Sequence, residues 1–146
     1  ILAVTSLLLT AGGCSPKNPD FSTSRNVKIY LVPIIGETCV FDPSDNGLEI
    51  HLEIKSSSGE TKSEESYTKS AIKSDGNGNY IETNKVPKDG YFGMTVTVIA
   101  SCNSCCSPSG NLTARPIYTG AASDADVQSK SYFIRLRKLT CVDGCN

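Results

Sequence analysis

The side chains best equipped for chemistry in this 146-residue chain are seven cysteines: Cys14, Cys39, Cys102, Cys105, Cys106, Cys141 and Cys145. Cys102-x-x-Cys105 together with Cys141-x-x-x-Cys145 offers four thiolates at a spacing that suits tetrahedral zinc. A thioredoxin-like use of Cys102-Asn103-Ser104-Cys105 needs its first cysteine at a helix N-terminus, and no helical stripe is readable there. In an oxidising compartment the six cysteines after Cys14 become structural bridges instead. Three of them crowd into residues 102–106, so apart from a strained vicinal pair they make at most one bridge among themselves. At least one therefore reaches Cys39, Cys141 or Cys145, closing a long loop that constrains the unfolded chain by roughly 3 to 4 kcal/mol. Three disulfides are the expected use, and a Cys-based metal site is the alternative.

Other constellations are thinner. His51 is the single histidine, and Glu49 and Glu53 flank it at strand spacing, so all three side chains share one face. That trio has the donors for a metal, but without a second histidine it reads as a solvated strand face. Asp75, Asn77 and Asn79 match the opening of an EF-hand loop. Tyr80 then stands where the glycine belongs and Val86 where the bidentate glutamate belongs, so these residues read as a turn. No Gly-x-Ser-x-Gly and no phosphate-cradling glycine pattern is present, and one histidine cannot supply both a base and its orienter. The expectation is a non-enzymatic protein with no cofactor and no resident metal. Lys plus Arg number 14 and Asp plus Glu 15, a formal net charge of −1. Such a balance provides no field for a phosphate backbone, so nucleic acid is not an expected partner.

These side chains sit on a framework of alternating residues. Val27, Ile29 and Leu31 alternate with Lys28 and Tyr30; Leu48, Ile50, Leu52 and Ile54 with Glu49, His51 and Glu53; Phe92, Met94, Val96 and Val98 with Gly93, Thr95 and Thr97. Period two of this kind predicts strands with one buried face. A last strand carries Tyr132, Ile134 and Leu136 inward, with a bulge or change of facing expected at Lys138 and Leu139. Shorter candidates lie near Tyr67–Ile72, Tyr80–Val86 and Leu112–Tyr118. Pro33 and Pro116 cannot donate to a ladder, which predicts edge strands or strand ends there. Arg135, Arg137 and Lys138 read as edge protection. The Ser, Thr, Glu and Lys-rich stretch 56–73 reads as a long mobile loop.

Turn signals at Asp45-Asn46-Gly47, Asp75-Gly76-Asn77-Gly78 and Lys88-Asp89-Gly90 separate the strands. The predicted fold class is all-β: an antiparallel Ig-like or prealbumin-like sandwich of about seven strands, disulfide-reinforced, over residues 27–146. If the strands before Cys102, after it and before Cys141 alternate in direction, Cys102–Cys106 and Cys141–Cys145 gather at one end.

Residues 1–13 form an uncharged apolar run ending in Ala11-Gly12-Gly13, and a polar stretch follows Cys14. This is the h-region and small-residue cleavage site of an export signal. Thirteen residues are too few to cross ~30 Å of hydrocarbon, which takes about 20 in a helix. With no initiator Met and no basic n-region before Ile1, the segment reads as a signal entered part-way. Leu7-Leu8-Leu9-Thr10-Ala11-Gly12-Gly13-Cys14 resembles the lipobox of bacterial lipoproteins, with Ala11 where a large aliphatic residue is usual. The resemblance implies lipidation of Cys14 by palmitate-type acyl chains, several of which anchor a protein stably where one does not. It also leaves six cysteines, an even number, for disulfides. Residues 14–26, rich in Ser, Pro, Asn and Thr, then read as a tether. Ser15 resembles the sorting position of lipoproteins destined for an outer membrane. The partners expected are a membrane through the N-terminal lipid and an envelope protein or glycan.

A second resemblance lies further on. Ser74-Asp75-Gly76-Asn77-Gly78-Asn79-Tyr80-Ile81, then Val86-Pro87-Lys88-Asp89-Gly90-Tyr91 and Met94-Thr95-Val96-Thr97-Val98, is similar to the bacterial transthyretin-like Cna-B and carboxypeptidase-regulatory-like domains. It covers about a quarter of the chain. Some of those domains carry an internal isopeptide bond from Lys to Asn or Asp, but Ser131–Thr140 offers neither acceptor. The leading expectation is a membrane-anchored cell-envelope lipoprotein whose β-domain binds another envelope component or serves as an accessory subunit. The alternative is a carbohydrate- or peptide-binding module using Tyr67, Tyr80, Tyr91, Tyr118 and Tyr132 as an exposed platform.

Overall fold

The computed structural model describes residues 20–34, 36, 40–88, 90–102, 114–124 and 130–143. Eight strands follow in order: β1 (Ser24–Pro33), β2 (Glu49–Lys55), β3 (Thr61–Thr68), β4 (Lys73–Asp75), β5 (Gly78–Pro87), β6 (Phe92–Ile99), β7 (Ala114–Asp124) and β8 (Ser131–Asp143), with one 3-10 turn at Lys69–Ala71. They hydrogen-bond into one sheet in the order β3-β2-β6-β7-β8-β1-β5-β4. The all-β expectation holds. The pairing is not purely antiparallel, because β1 and β8 run parallel from Lys28↔Ser131 to Pro33↔Leu136. Alternation within each strand specifies a buried face but not the direction of a neighbour 100 residues away, so the parallel pair left no local trace.

β8 is the pivot of the sheet. Its first half lies along β1, and its second half pairs antiparallel with β7, from Thr119↔Arg137 to Ala114↔Asp143. Leu139 is the extra residue between Ile117↔Thr140 and Tyr118↔Lys138, a bulge at the expected place, and its side chain is exposed. The curl about this pivot lets inward side chains of the two halves share one core. Ile29, Leu31 and Ile81 from one half join Ile50, Leu52, Ile54, Met94 and Val96 from the other, with Ile134 and Leu136 of β8 between them. Alternation in β2 and β6 is as clean as the sequence pattern requires.

Several local expectations need correction. Residues 61–68 are a strand, not a mobile loop: β3 pairs with β2 over Glu49↔Thr68 to Lys55↔Thr61. It lies at the sheet margin, where few apolar contacts are required, so its polar composition hid it. The strand looked for at Tyr67–Ile72 is accordingly displaced toward the N-terminus. β1 begins at Ser24, three residues before Val27, and Phe21 packs against the core. β7 is an interior strand, whereas in the basic stripe of β8 Arg135 is laddered to β1 and Arg137 and Lys138 to β7, each on one side only among the described residues.

Pro116 also lies in an interior strand, and a side chain makes up for its missing donor. Ala100 N–H donates to the Pro116 carbonyl at 3.0 Å, which defines a hydrogen-bonded pair whose reciprocal bond proline cannot make. The Ala100 carbonyl accepts instead from Arg115 Nε at 2.8 Å. Arg115 also donates to the Gly47 carbonyl at 3.0 Å and pairs with Glu49 at 3.2 Å. Asp45 completes this end of the molecule, accepting from Ser101 N–H at 2.8 Å, from the Ser101 hydroxyl and from Gly47 N–H at 2.9 Å. Burial pushes the Asp45 carboxyl up, but the bonds from Ser101 and Gly47, with Arg115 nearby, outweigh it and hold the pKa low.

Candidate functional site

The sheet does not close on itself. Among the described residues β3 has no ladder partner on the side away from β2, and β4 covers only Gly78–Tyr80 of β5. Side chains bridge the seam where these margins meet. Glu65 Oε2 accepts from Tyr67 Oη at 2.5 Å and from Thr83 Oγ1 at 2.5 Å, and Tyr67 Oη also lies 3.2 Å from the Glu82 carbonyl. Burial and the Glu65 carboxylate both push the Tyr67 phenol up. Thr83 is buried, and its hydroxyl oxygen also accepts from Lys85 N–H at 3.1 Å.

Beside this bridge lies a cleft of about 730 Å³. It opens where β1 and β5 lose register, between Arg25↔Val86 and Val27↔Thr83, so that Asn84 and Lys85 face Asn26 alone. Such a bulge bends the strand and re-aims its side chains. The walls include Glu65 and Tyr67 from β3, Asn26, Lys28 and Tyr30 from β1, Glu82 and Asn84 from β5, and Lys130 with Ser131 at the start of β8. The volume falls within the usual range for small-ligand sites, about 300 to 1,000 Å³.

One wall is stiffened from outside the core. Tyr30 points away from the main cluster yet is 3% exposed, because Phe133 stacks on it at 4.6 Å and Tyr80 tilts against it at 5.3 Å. All three are neighbours on one face, since Tyr30 pairs with Tyr80 and with Phe133. Asp75 accepts from Tyr30 Oη at 2.7 Å and from Lys28 Nζ at 2.9 Å, while Asn77 N–H donates to its other oxygen at 2.9 Å. The Tyr30 hydroxyl first and the Lys28 ammonium second hold Asp75 at about 2, below its ordinary 3.8. Asp75 in turn raises both Tyr30 and Lys28.

A folded-state pKa below the unfolded one lends stability that is complete above about pH 4 and lost as pH falls through about 2. Titration of the Asp75 carboxyl carbon is expected to inflect near pH 2, and Asp75→Asn to remove the corresponding part of the acid loss. An inflection at the ordinary value sinks this account.

The structure keeps the sequence-predicted groups apart from this cleft, with few exceptions. His51 Nδ1 lies 3.1 Å from Ser66 Oγ, Glu49 pairs with Arg115, and Glu53 pairs with Lys55 at 3.3 Å, so the trio does not converge. Asp75, Gly76, Asn77 and Gly78 form the β4–β5 hairpin turn, with Gly78 at φ +123°. Of the five tyrosines expected in an exposed platform, Tyr80, Tyr118 and Tyr132 are buried and Tyr67 and Tyr91 half-buried, so no exposed row exists. Their rings have too much apolar area to leave in water when a core face is available.

Cys102 and Cys141 lie at the same end of the molecule, as the antiparallel β6, β7 and β8 require, and both are disulfide-bonded. Cys39, Cys105, Cys106 and Cys145 lie outside the described residues, as do Cys14 and the export segment.

No family model matches the sequence, and no curated protein matches it. A solved structure, that of a fimbrial assembly protein from Parabacteroides distasonis ATCC 8503, is similar at a TM-score of 0.46 and 13% identity, over 80% of this chain and 53% of that one. This chain spans about half the length of that protein.

Of the residues at the seam, only Tyr67 carries a binding expectation from the sequence. Glu65 falls in the stretch that reads as a loop, Thr83 reads as an ordinary strand residue, and Asn26 reads as part of the tether. The one available signal was Asn84-Lys85 interrupting the alternation that leads from Ile81 to Val86.

Proposed function

We propose that this chain is a cell-envelope lipoprotein, anchored by lipid at Cys14 in an outer membrane, whose β-domain has a non-enzymatic binding or structural role. The observation that carries this reading is the apolar run Ile1–Thr10 followed by Ala11-Gly12-Gly13-Cys14 and a polar stretch. The finer architecture proposed is a prealbumin-like sandwich, reinforced by three disulfides among Cys39, Cys102, Cys105, Cys106, Cys141 and Cys145.

Intact mass spectrometry of membrane-extracted protein tests the anchor and the bridges together. The expected result is an acylated chain beginning at Cys14 with no free thiol, and a Cys14→Ala variant that leaves the membrane fraction. A mature mass beginning at Ser15, or an unmodified Cys14, removes the membrane from the account. Six free thiols with bound zinc reverse the disulfide reading in favour of a metal-handling protein.

A second reading, a carbohydrate- or peptide-binding module, is favoured by the polar cleft at the seam. The cleft takes the place of the tyrosine platform as its structural basis.

A further inference from the structure

The groups around the cleft that have no partner are the most informative. Among the described residues Glu65 Oε1 takes no hydrogen bond, since both hydroxyls go to Oε2. The side chains of Asn26, Asn84, Lys130 and Ser131 likewise have no hydrogen-bond partner among the described residues. Lys28 is engaged by Asp75, and Glu82 by Lys73 at 2.7 Å. The charges left over are Glu65 and Lys130, which are opposite, so the cleft has no net demand for an ion. What it presents is a mixed set of donors and acceptors, with the half-buried ring of Tyr67 on its wall.

A ligand that meets such a set carries many hydroxyls, each both donor and acceptor, together with apolar C–H faces that lie against an aromatic wall. Resting on the reading of the domain as a binding module, we infer that the seam cleft is a site for a neutral oligosaccharide. Glu65, Asn26 and Asn84 are its hydrogen-bonding groups. An extended peptide added as a strand is the less suited occupant. It needs a regular run of free backbone donors and acceptors; on β5 the bulge at Asn84 and Lys85 breaks that run, and beside β3 the seam is already crossed by the bonds from Thr83 to Glu65 and from Tyr67 to the Glu82 carbonyl.

The test uses the ¹⁵N-labelled full chain in a polyoxyethylene detergent, which carries no sugar. Chitotriose, maltotriose, cellotriose and, as a peptide probe, trialanine are each titrated to millimolar concentration. At least one trisaccharide is expected to shift the Thr83, Asn84 and Lys130 amides saturably. Asn84→Ala and Glu65→Gln should each weaken that binding about tenfold, equivalent to about 1.4 kcal/mol. Asn84 is exposed and no described residue bonds to its side chain, so its variant should keep the wild-type melting temperature. Saturable shifts with trialanine alone overturn the sugar assignment and leave the binding module standing. No saturable shift with any probe, or trisaccharide shifts that survive both substitutions, overturns the site itself.

Discussion

Replacing Gly120 with alanine is expected to destabilise the domain by about 3 kcal/mol or more, read as a fall in denaturant midpoint at constant m-value. A Cβ at this position overlaps the backbone carbonyl oxygen of Arg135 and stands 2.5 Å from Ile134 Cγ2. The site lies one residue beyond the last β7–β8 pair, Thr119↔Arg137, where β8 leaves β7 for β1 and its backbone passes close over β7. A backbone carbonyl held by a ladder cannot swing aside as the tip of a long side chain can. Both strands must therefore separate, or the switch of partners must move along β8. Gly93→Ala is the matched control: its nearest non-neighbouring atom is the Ala122 carbonyl oxygen at 3.9 Å, and the change should be within about 0.5 kcal/mol of neutral. Equal losses at the two glycines would show that close approach is not what Gly120 supplies.

Truncating Phe92 to alanine should cost about 3 to 5 kcal/mol. Its ring is fully buried and meets Tyr132 edge-on, with centroids 5.5 Å apart at 87°. Phe92 opens β6 in one half of the sheet and Tyr132 lies in the part of β8 that runs along β1, so the cavity would open between the halves. Arg25 donates to Tyr132 Oη at 2.7 Å, which limits how far that ring can move in to fill the space. Phe133, the next residue in β8, provides the comparison. It is 55% exposed and its main contact is the stacked face of Tyr30, so Phe133→Ala should cost about 1 kcal/mol. Similar losses for the two phenylalanines in chemical denaturation would contradict a core lying between the two half-sheets.

What could be read from the chain in advance was local. Alternation in β2 and β6 announces which side chains are buried, because successive residues of a strand must point to opposite faces. Asp-Gly-Asn-Gly marks a hairpin because Gly78 takes a positive φ that other residues resist. The change of pattern at Lys138-Leu139 marks a bulge for the same kind of reason. β3 escaped notice because a marginal strand needs a ladder more than it needs apolar residues, and Thr61–Thr68 has little hydrophobic pattern to detect.

The candidate site was not legible, and the cause is physical. Glu65 and Thr83 are 18 positions apart and on opposite half-sheets, and they meet only because the sheet curls. Tyr30 reads as a solvent-facing residue until Tyr80 and Phe133 cover it. Arg115 looks like a surface charge until Pro116 is seen to lie in an interior strand with a carbonyl to be satisfied. By itself the sequence determined the all-β class, most strand positions and their buried faces, since these follow from bonds and pleat between adjacent residues. Tertiary structure alone decided the parallel β1–β8 pair, the need for glycine at position 120 and the cleft at the seam. Each of those depends on which distant backbone arrives alongside, and side-chain alternation within a strand carries no record of its future neighbour.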